Sequence, residues 1–215
     1  MKMQKERELV VEYGKKLKSA GLCPGTSGNL SICSADRSLM AISPSGMDYD
    51  VLTPDDIVVT DLDANVVDGK RRPSSEWALH TLFYRSRPDV SAVVHTHSLY
   101  CTTFAVLRQP LRAVHFAIAN AGTEEVRCAP YELFGTEALA ETAVKECGTG
   151  NAILLANHGI ICCGSDSAGA FSLAENLEYC ARLQYQAMCI GTPQLISSEQ
   201  VKDVLRQFQG YGQKA

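Results

Sequence analysis

The chain has no CxxC pair, no long run of lysine or arginine, no internal repeat, and no uninterrupted apolar stretch of bilayer-spanning length. Each absence removes a class of protein. With 24 acidic against 20 basic residues and a formal charge of −4, there is no electrostatic footprint for nucleic acid or an anionic membrane. The opening residues, MKMQKERELVVEYGKKLKSAG, are charged and lack an apolar signal region, so a cytoplasmic location is expected. The nine cysteines are odd in number and lie mostly in apolar contexts such as IICCGS and LEYCARL. That pattern fits reduced, buried thiols better than disulfides or a cysteine metal site.

What is present is ordinary in bulk: 215 residues, 46% hydrophobic and 20% charged, enough for one substantial core and one domain. Leu9, Tyr13 and Leu17 recur at helical spacing before Gly21, predicting a helix over residues 4–20. Short apolar segments, LSIC, LMAIS, DIVVTDL and NVVDG, alternate with turn residues as in a strand meander. The segment after Pro73 turns helical, with Ser74 or Ser75 as the expected N-cap. Further strands are expected at VSAVVHTHS, NAILLAN and IICC. Further helices are expected near 99–108, 136–147 and 167–190 and in SSEQVKDVLRQF, with a less regular region up to 134. The sum is an α/β domain with a largely antiparallel sheet between helices.

Histidine is also scarce, with five in the chain, yet two fall in VVHTHS. Side chains at i and i+2 of a strand share a face, so His95 and His97 project side by side. His158, in LLANHG, follows an apolar strand, and Gly159 beside it is expected to let the backbone turn. Three neutral imidazoles with an open position make a catalytic metal site. Zinc is the first expectation, with manganese, iron and cobalt also suited to such ligands. Glu76 lies in the first turn of its helix, where it could fill the open position at rest and act as a general base. His80, four residues on, is expected to support rather than ligate, and His115 to be a partly buried structural residue. Three loops, GTSGN at 25–29, SPSG at 43–46 and PSSE at 73–76, combine glycine and hydroxyl residues. Each alone reads as a turn, but three together suggest an anion pocket.

The motifs GTSGNLS, SPSGMDYD, PSSEWALH, AVVHTHS, RCAPYELFGT and LLANHG resemble, in order and spacing, the class II aldolase and ribulose-phosphate epimerase family, and most of all its fuculose-phosphate aldolase branch. The resemblance covers essentially the whole chain. It implies a three-layer α/β/α domain with a central, mostly antiparallel mixed sheet, a single unit over 1–215 with a C-terminal flap at about 207–215. It also implies a homotetramer with active sites at subunit boundaries. Carried over, His95, His97 and His158 become ligands of one divalent ion per subunit. Glu76 becomes a ligand of the resting ion and the proton carrier. Gly28, Asn29, Ser45, Gly46, Ser74 and Ser75 match phosphate-binding positions, with Thr26 nearby. Phe134, Phe208 and Tyr211 match positions on the aldehyde side, Tyr211 with a catalytic role.

The implied activity is metal-dependent cleavage of a ketose-1-phosphate, L-fuculose-1-phosphate or a close analogue, to dihydroxyacetone phosphate and an aldehyde. Substrates of related aldolases, 5-deoxyribulose-1-phosphate and methylthioribulose-1-phosphate, are the nearest alternatives. Epimerases of L-ribulose-5-phosphate in the same family carry aspartate where Glu76 stands, which favours the aldolase. A non-catalytic module like the adducin head resembles the fold without the metal site and is disfavoured by the retained histidines. One departure stands out: the fuculose-phosphate aldolase branch places a proton-donating tyrosine from the neighbouring subunit where this chain has Phe116.

Overall fold

The computed structural model describes residues 1–208. The first helix, α1 (Gln4–Ser19), forms where its spacing predicts, burying Val10 and Leu17, and the chain leaves it through Gly21 at φ +72°. A meander follows: β1 (Asn29–Cys33), β2 (Leu39–Ile42), β3 (Val58–Asp61) and β4 (Val66–Asp68), each antiparallel to the last. Then come α2 (Trp77–Ser86), β5 (Ala92–Thr96), α3 (Leu99–Leu107), a 3-10 segment at Phe116–Ala121 and the two-residue β6 (Cys128–Ala129). The body closes with α4 (Glu137–Cys147), β7 (Ala152–Leu155), β8 (Gly159–Gly164), α5 (Ser167–Ile190) and α6 (Ser198–Phe208).

The strands form one sheet in the order β4-β3-β2-β1-β5-β8-β7-β6. Only the β6–β7 pair is parallel, so the sheet is mixed and mostly antiparallel as expected. Both faces are covered. Leu30, Val94, Leu154 and Ile160 share a core with Leu17, Phe104 and Leu177 of α1, α3 and α5. Met40, Val93, Ile153 and Ile161 pack instead with Leu79 and Phe83 of α2 and with Ala143 of α4. Because successive strand residues face opposite ways, this double burial is why β7 and β8 read as unbroken apolar runs instead of alternating ones. Burying each such large apolar side chain contributes about 1.5–3 kcal/mol relative to exposure. No helix among the described residues is long and apolar enough to cross a membrane.

One boundary departs from the sequence expectation. The N-cap of α2 is Glu76, without a side-chain cap hydrogen bond, and neither Ser74 nor Ser75 takes that place. Pro73 is bridged to Pro44, and the Ser74 N–H donates to the Ser43 carbonyl at 3.0 Å. The serines are thereby held in a turn belonging to the neighbouring loop, and the helix begins only where that pairing ends. This same pairing joins two of the three expected anion loops side by side.

Candidate active site

Strand register assembles the site. Asn29 of β1 pairs with His95 of β5, and His95 pairs in turn with Ile161 of β8. His95 shares the face of Val93 and Ile161, which is the face covered by α2, and Glu76 stands at the start of that helix. His97 follows directly after β5, and His158 sits in the turn between β7 and β8. The sequence expectation placed the turn at Gly159. In fact Asn157 adopts the left-handed conformation, φ +55°, which asparagine tolerates better than most residues. Gly159 serves another purpose: a Cβ there would run into the Thr96 carbonyl and lie 2.9 Å from Cδ2 of His97. Gly28 has both constraints, a φ of +74° and a would-be Cβ only 2.7 Å from the His95 carbonyl.

The three imidazoles converge, with ring centroids 4.8–5.0 Å apart and ligating nitrogens all within 4.8 Å of one another. His95 Nδ1–H donates to the Ile160 carbonyl at 3.0 Å, which turns its Nε2 toward His97 Nε2, 2.9 Å away. Glu76 approaches from the other side, Oε2 3.3 Å from His95 Nε2 and Oε1 3.4 Å from His158 Nε2. Two ligands about 2.0–2.1 Å from one tetrahedral ion lie about 3.4 Å apart, so these separations suit a shared cation. The donor chemistry also suits one. Burial pushes the His95 pKa down to about 3 and lowers those of His97 and His158, keeping all three in the neutral form that ligates. The Asn29 amide, donating to Glu76 Oε2 at 2.8 Å, favours the ionised form of that carboxyl against its burial. Its Oε1 is buried without a hydrogen-bond partner, an acceptor that a divalent ion would satisfy. The residues present therefore fit a divalent ion.

A cavity of about 350 Å³ opens onto this cluster, lined by Ser75, Glu76, His97, Tyr131, Glu132, Phe134, Asn157 and His158. Phe134 is 63% exposed at its mouth. Of the remaining expected site residues, Thr26, Ser45 and Gly46 are exposed in their loops, whereas Ser74 is buried with its Oγ accepting from the Glu76 N–H at 3.3 Å. The Asn29 side chain, expected at the phosphate, is buried and committed to Glu76 and His80. Phe208 ends α6 with its ring 6.3 Å from that of Phe116, and Tyr211 lies outside the described residues. His80 bonds Asn29 and Ser31, apart from the ligand cluster, and His115 accepts from the Ala117 N–H. Glu132 and Asn157 were not anticipated. Asn157 could have been noticed as the residue adjoining a ligand in a tight turn, where Arg108 now bonds its Oδ1.

Comparison with known proteins agrees with this geometry. Residues 8–185 match the family described as Class II Aldolase and Adducin N-terminal domain. The chain is 47% identical over its whole length, and that of its relative, to 5-deoxy-D-ribulose 1-phosphate aldolase of Bacillus thuringiensis serovar kurstaki. It is 37% identical to L-fuculose phosphate aldolase of Escherichia coli K12, covering 99% of this chain and 98% of the relative. A solved structure of L-fuculose 1-phosphate aldolase superposes with a TM-score of 0.94 at 41% identity, covering 97% and 98% of the two chains. The three-imidazole cluster, the carboxylate beside it and these likenesses together establish that the chain belongs to the class II aldolase family, as an enzyme of the lyase class.

Proposed function

We propose that this enzyme reversibly cleaves a ketose-1-phosphate to dihydroxyacetone phosphate and a short aldehyde, using one divalent ion per subunit. The observation that carries the reading is Glu76, whose carboxylate lies within 3.3–3.4 Å of two of the three imidazoles and on the wall of the cavity. His95, His97 and His158 would hold the ion. When bound, it supplies positive charge that stabilises the enediolate form of the triose phosphate. The protein does the rest. The Ser43–Gly46 and Pro73–Glu76 loops, tied together through Pro44 and Pro73, would hold the phosphate beside Glu76. In cleavage the C4 hydroxyl gives its proton to water as its oxygen becomes the aldehyde carbonyl, the C3–C4 electron pair stays with the triose, and the Glu76 carboxyl passes a proton to C3 and is reprotonated from water. In condensation Glu76 removes that proton.

For the aldehyde end, the 47% identical relative supports 5-deoxyribulose 1-phosphate, whose cleavage releases a two-carbon aldehyde, ahead of L-fuculose 1-phosphate. Phe116 and the aromatic lining by Tyr131 and Phe134 are compatible with a small apolar aldehyde. Zinc is the proposed ion, since three imidazoles and one carboxylate match its usual donors. The apolar side chains left exposed, among them Leu99 at 69% and Ile190 at 91%, support a homotetramer of one-domain subunits with sites at their boundaries. The proposed location is the cytoplasm.

The test is a panel of ketose-1-phosphates assayed for dihydroxyacetone phosphate release before and after chelation, with zinc, manganese and cobalt added back. Release from 5-deoxyribulose 1-phosphate, abolished by the chelator and restored by one ion, is expected. Epimerisation of L-ribulose-5-phosphate, without triose release from any member, would overturn the proposal.

A further inference from the structure

One residue spacing accounts for more than the ligand cluster. Glu76, the N-cap of α2, and His80 and Tyr84 within it stand four apart on the side facing the sheet, and all are buried. Asn29 and Ser31, two apart on β1, present the same face of the strand to that stripe. The two periodicities mesh into one continuous line of hydrogen bonds. Tyr84 Oη lies 2.6 Å from Ser31 Oγ, which lies 2.7 Å from His80 Nδ1. His80 Nε2 meets Asn29 Oδ1 at 2.5 Å, and Asn29 Nδ2 donates to Glu76 Oε2 at 2.8 Å.

The direction of every bond follows from the Glu76 end. A carboxylate can only accept, so the Asn29 amide must point its NH2 at Glu76 and its oxygen at His80. His80 must then carry its proton on Nε2, leaving Nδ1 to accept from Ser31, whose oxygen accepts from the Tyr84 hydroxyl. The weak joint in such a line is the asparagine. Rotated by half a turn, its oxygen would face the carboxylate, two acceptors in contact. The Glu76 carboxylate opposes that rotation from one side, and the N–H of His80 opposes it from the other.

We propose that His80 is a positioning residue for Glu76: its Nε2–H locks the Asn29 amide, which anchors Oε2 and leaves Oε1 as the oxygen free to face the ion and the substrate. Ser31 and Tyr84 fix the His80 tautomer from behind. The inference rests on Glu76 being the proton carrier, and it assigns Asn29 to the carboxylate.

Two substitutions separate positioning from packing. His80→Phe fills the ring's space without the donor, whereas His80→Gln restores an N–H near the Nε2 position. Deuterium wash-in at the dihydroxyacetone phosphate carbon should fall about 10- to 100-fold in kcat for His80→Phe, with KM and bound metal per chain unchanged, and His80→Gln should recover most of the loss. Nitrogen-15 NMR of the metal-free protein gives an independent reading. The His80 ring should show the Nε2–H tautomer, and Asn29→Ala should shift that resonance. Native-like wash-in by His80→Phe, an Nδ1–H tautomer, or a resonance indifferent to Asn29→Ala would each overturn the proposal. If His80→Phe does not fold, Ser31→Ala and Tyr84→Phe take its place, and no effect of either on wash-in or on the resonance counts against the proposal. Absence of wash-in by the unaltered enzyme would instead sink the aldolase reading while the NMR result still decides the positioning role.

Discussion

The two oxygens of Glu76 have different surroundings: Oε2 takes the Asn29 amide, and Oε1 takes no hydrogen bond. That asymmetry makes Glu76→Gln informative, because the amide keeps the volume while removing the base. Proton exchange at the triose carbon is expected to drop about 10²–10⁴-fold, with metal content, measured by atomic emission, retained. A second residue-scale expectation concerns Phe116, half exposed and 4.5 Å from the His115 ring. Phe116→Tyr should raise turnover of L-fuculose 1-phosphate relative to 5-deoxyribulose 1-phosphate in a paired kcat/KM assay, by supplying a hydroxyl donor toward the aldehyde. At this scale the sequence is legible where periodicity speaks. His95 and His97 share a face because strands have period two, and Glu76 and His80 share one because helices have period 3.6. The partner of Asn29 was not legible, since a side chain one strand away from the ligands can serve either a phosphate or a carboxylate, and only register decides.

Elements set the ligand distances. The β1–β5–β8 ladder puts Asn29 opposite His95 and His95 opposite Ile161, so His95 is placed by backbone pairing in the middle of the sheet, with His97 directly after β5 and His158 in the turn between β7 and β8. Gly159, the first residue of β8, is the point where that placement is tightest. Gly159→Ala should force apart the Thr96 carbonyl and the His97 ring, costing about 1–3 kcal/mol. Calorimetry should show a Tm lowered by about 2–4 °C per kcal/mol, accompanied by weaker metal binding. Helices α1, α4, α5 and α6 fall within a residue or two of their sequence-read limits because their caps and apolar stripes are local properties. The start of α2 falls one or two residues later than expected and the two-residue β6 was not anticipated, because both depend on pairing with distant chain: Pro73 with Pro44, and Cys128 with Leu154.

Across the molecule, one charge stands out far from the site. Arg7 is 1% exposed, bonds the carbonyls of Lys2 and Pro54, and meets Asp68 at 3.0 Å. It thereby joins α1 to the far edge of the sheet. The Lys2 backbone N–H and the Arg7 charge hold the Asp68 carboxyl below its usual pKa. A depressed carboxylate stabilises the fold above its unfolded pKa of about 3.9 and loses that contribution as the pH falls through the folded value. Asp68→Asn should therefore lower Tm at neutral pH and flatten its decline below about pH 4, read from melts across that range. Removing the ion is expected to lower stability without dismantling the fold. Chelation should leave far-UV circular dichroism and cooperative melting intact at a lower Tm, since a bound ion stabilises the folded state by mass action.

This last expectation has a practical corollary, which follows from ligands seated in β5, directly after it, and in the tight turn before β8. A socket that survives emptying can be refilled at will, and cobalt(II), whose visible absorption responds to its ligands, would give a colourless enzyme a built-in optical signal. Titrating candidate aldehydes and sugar phosphates against that colour would rank them by occupancy alone, with no turnover required.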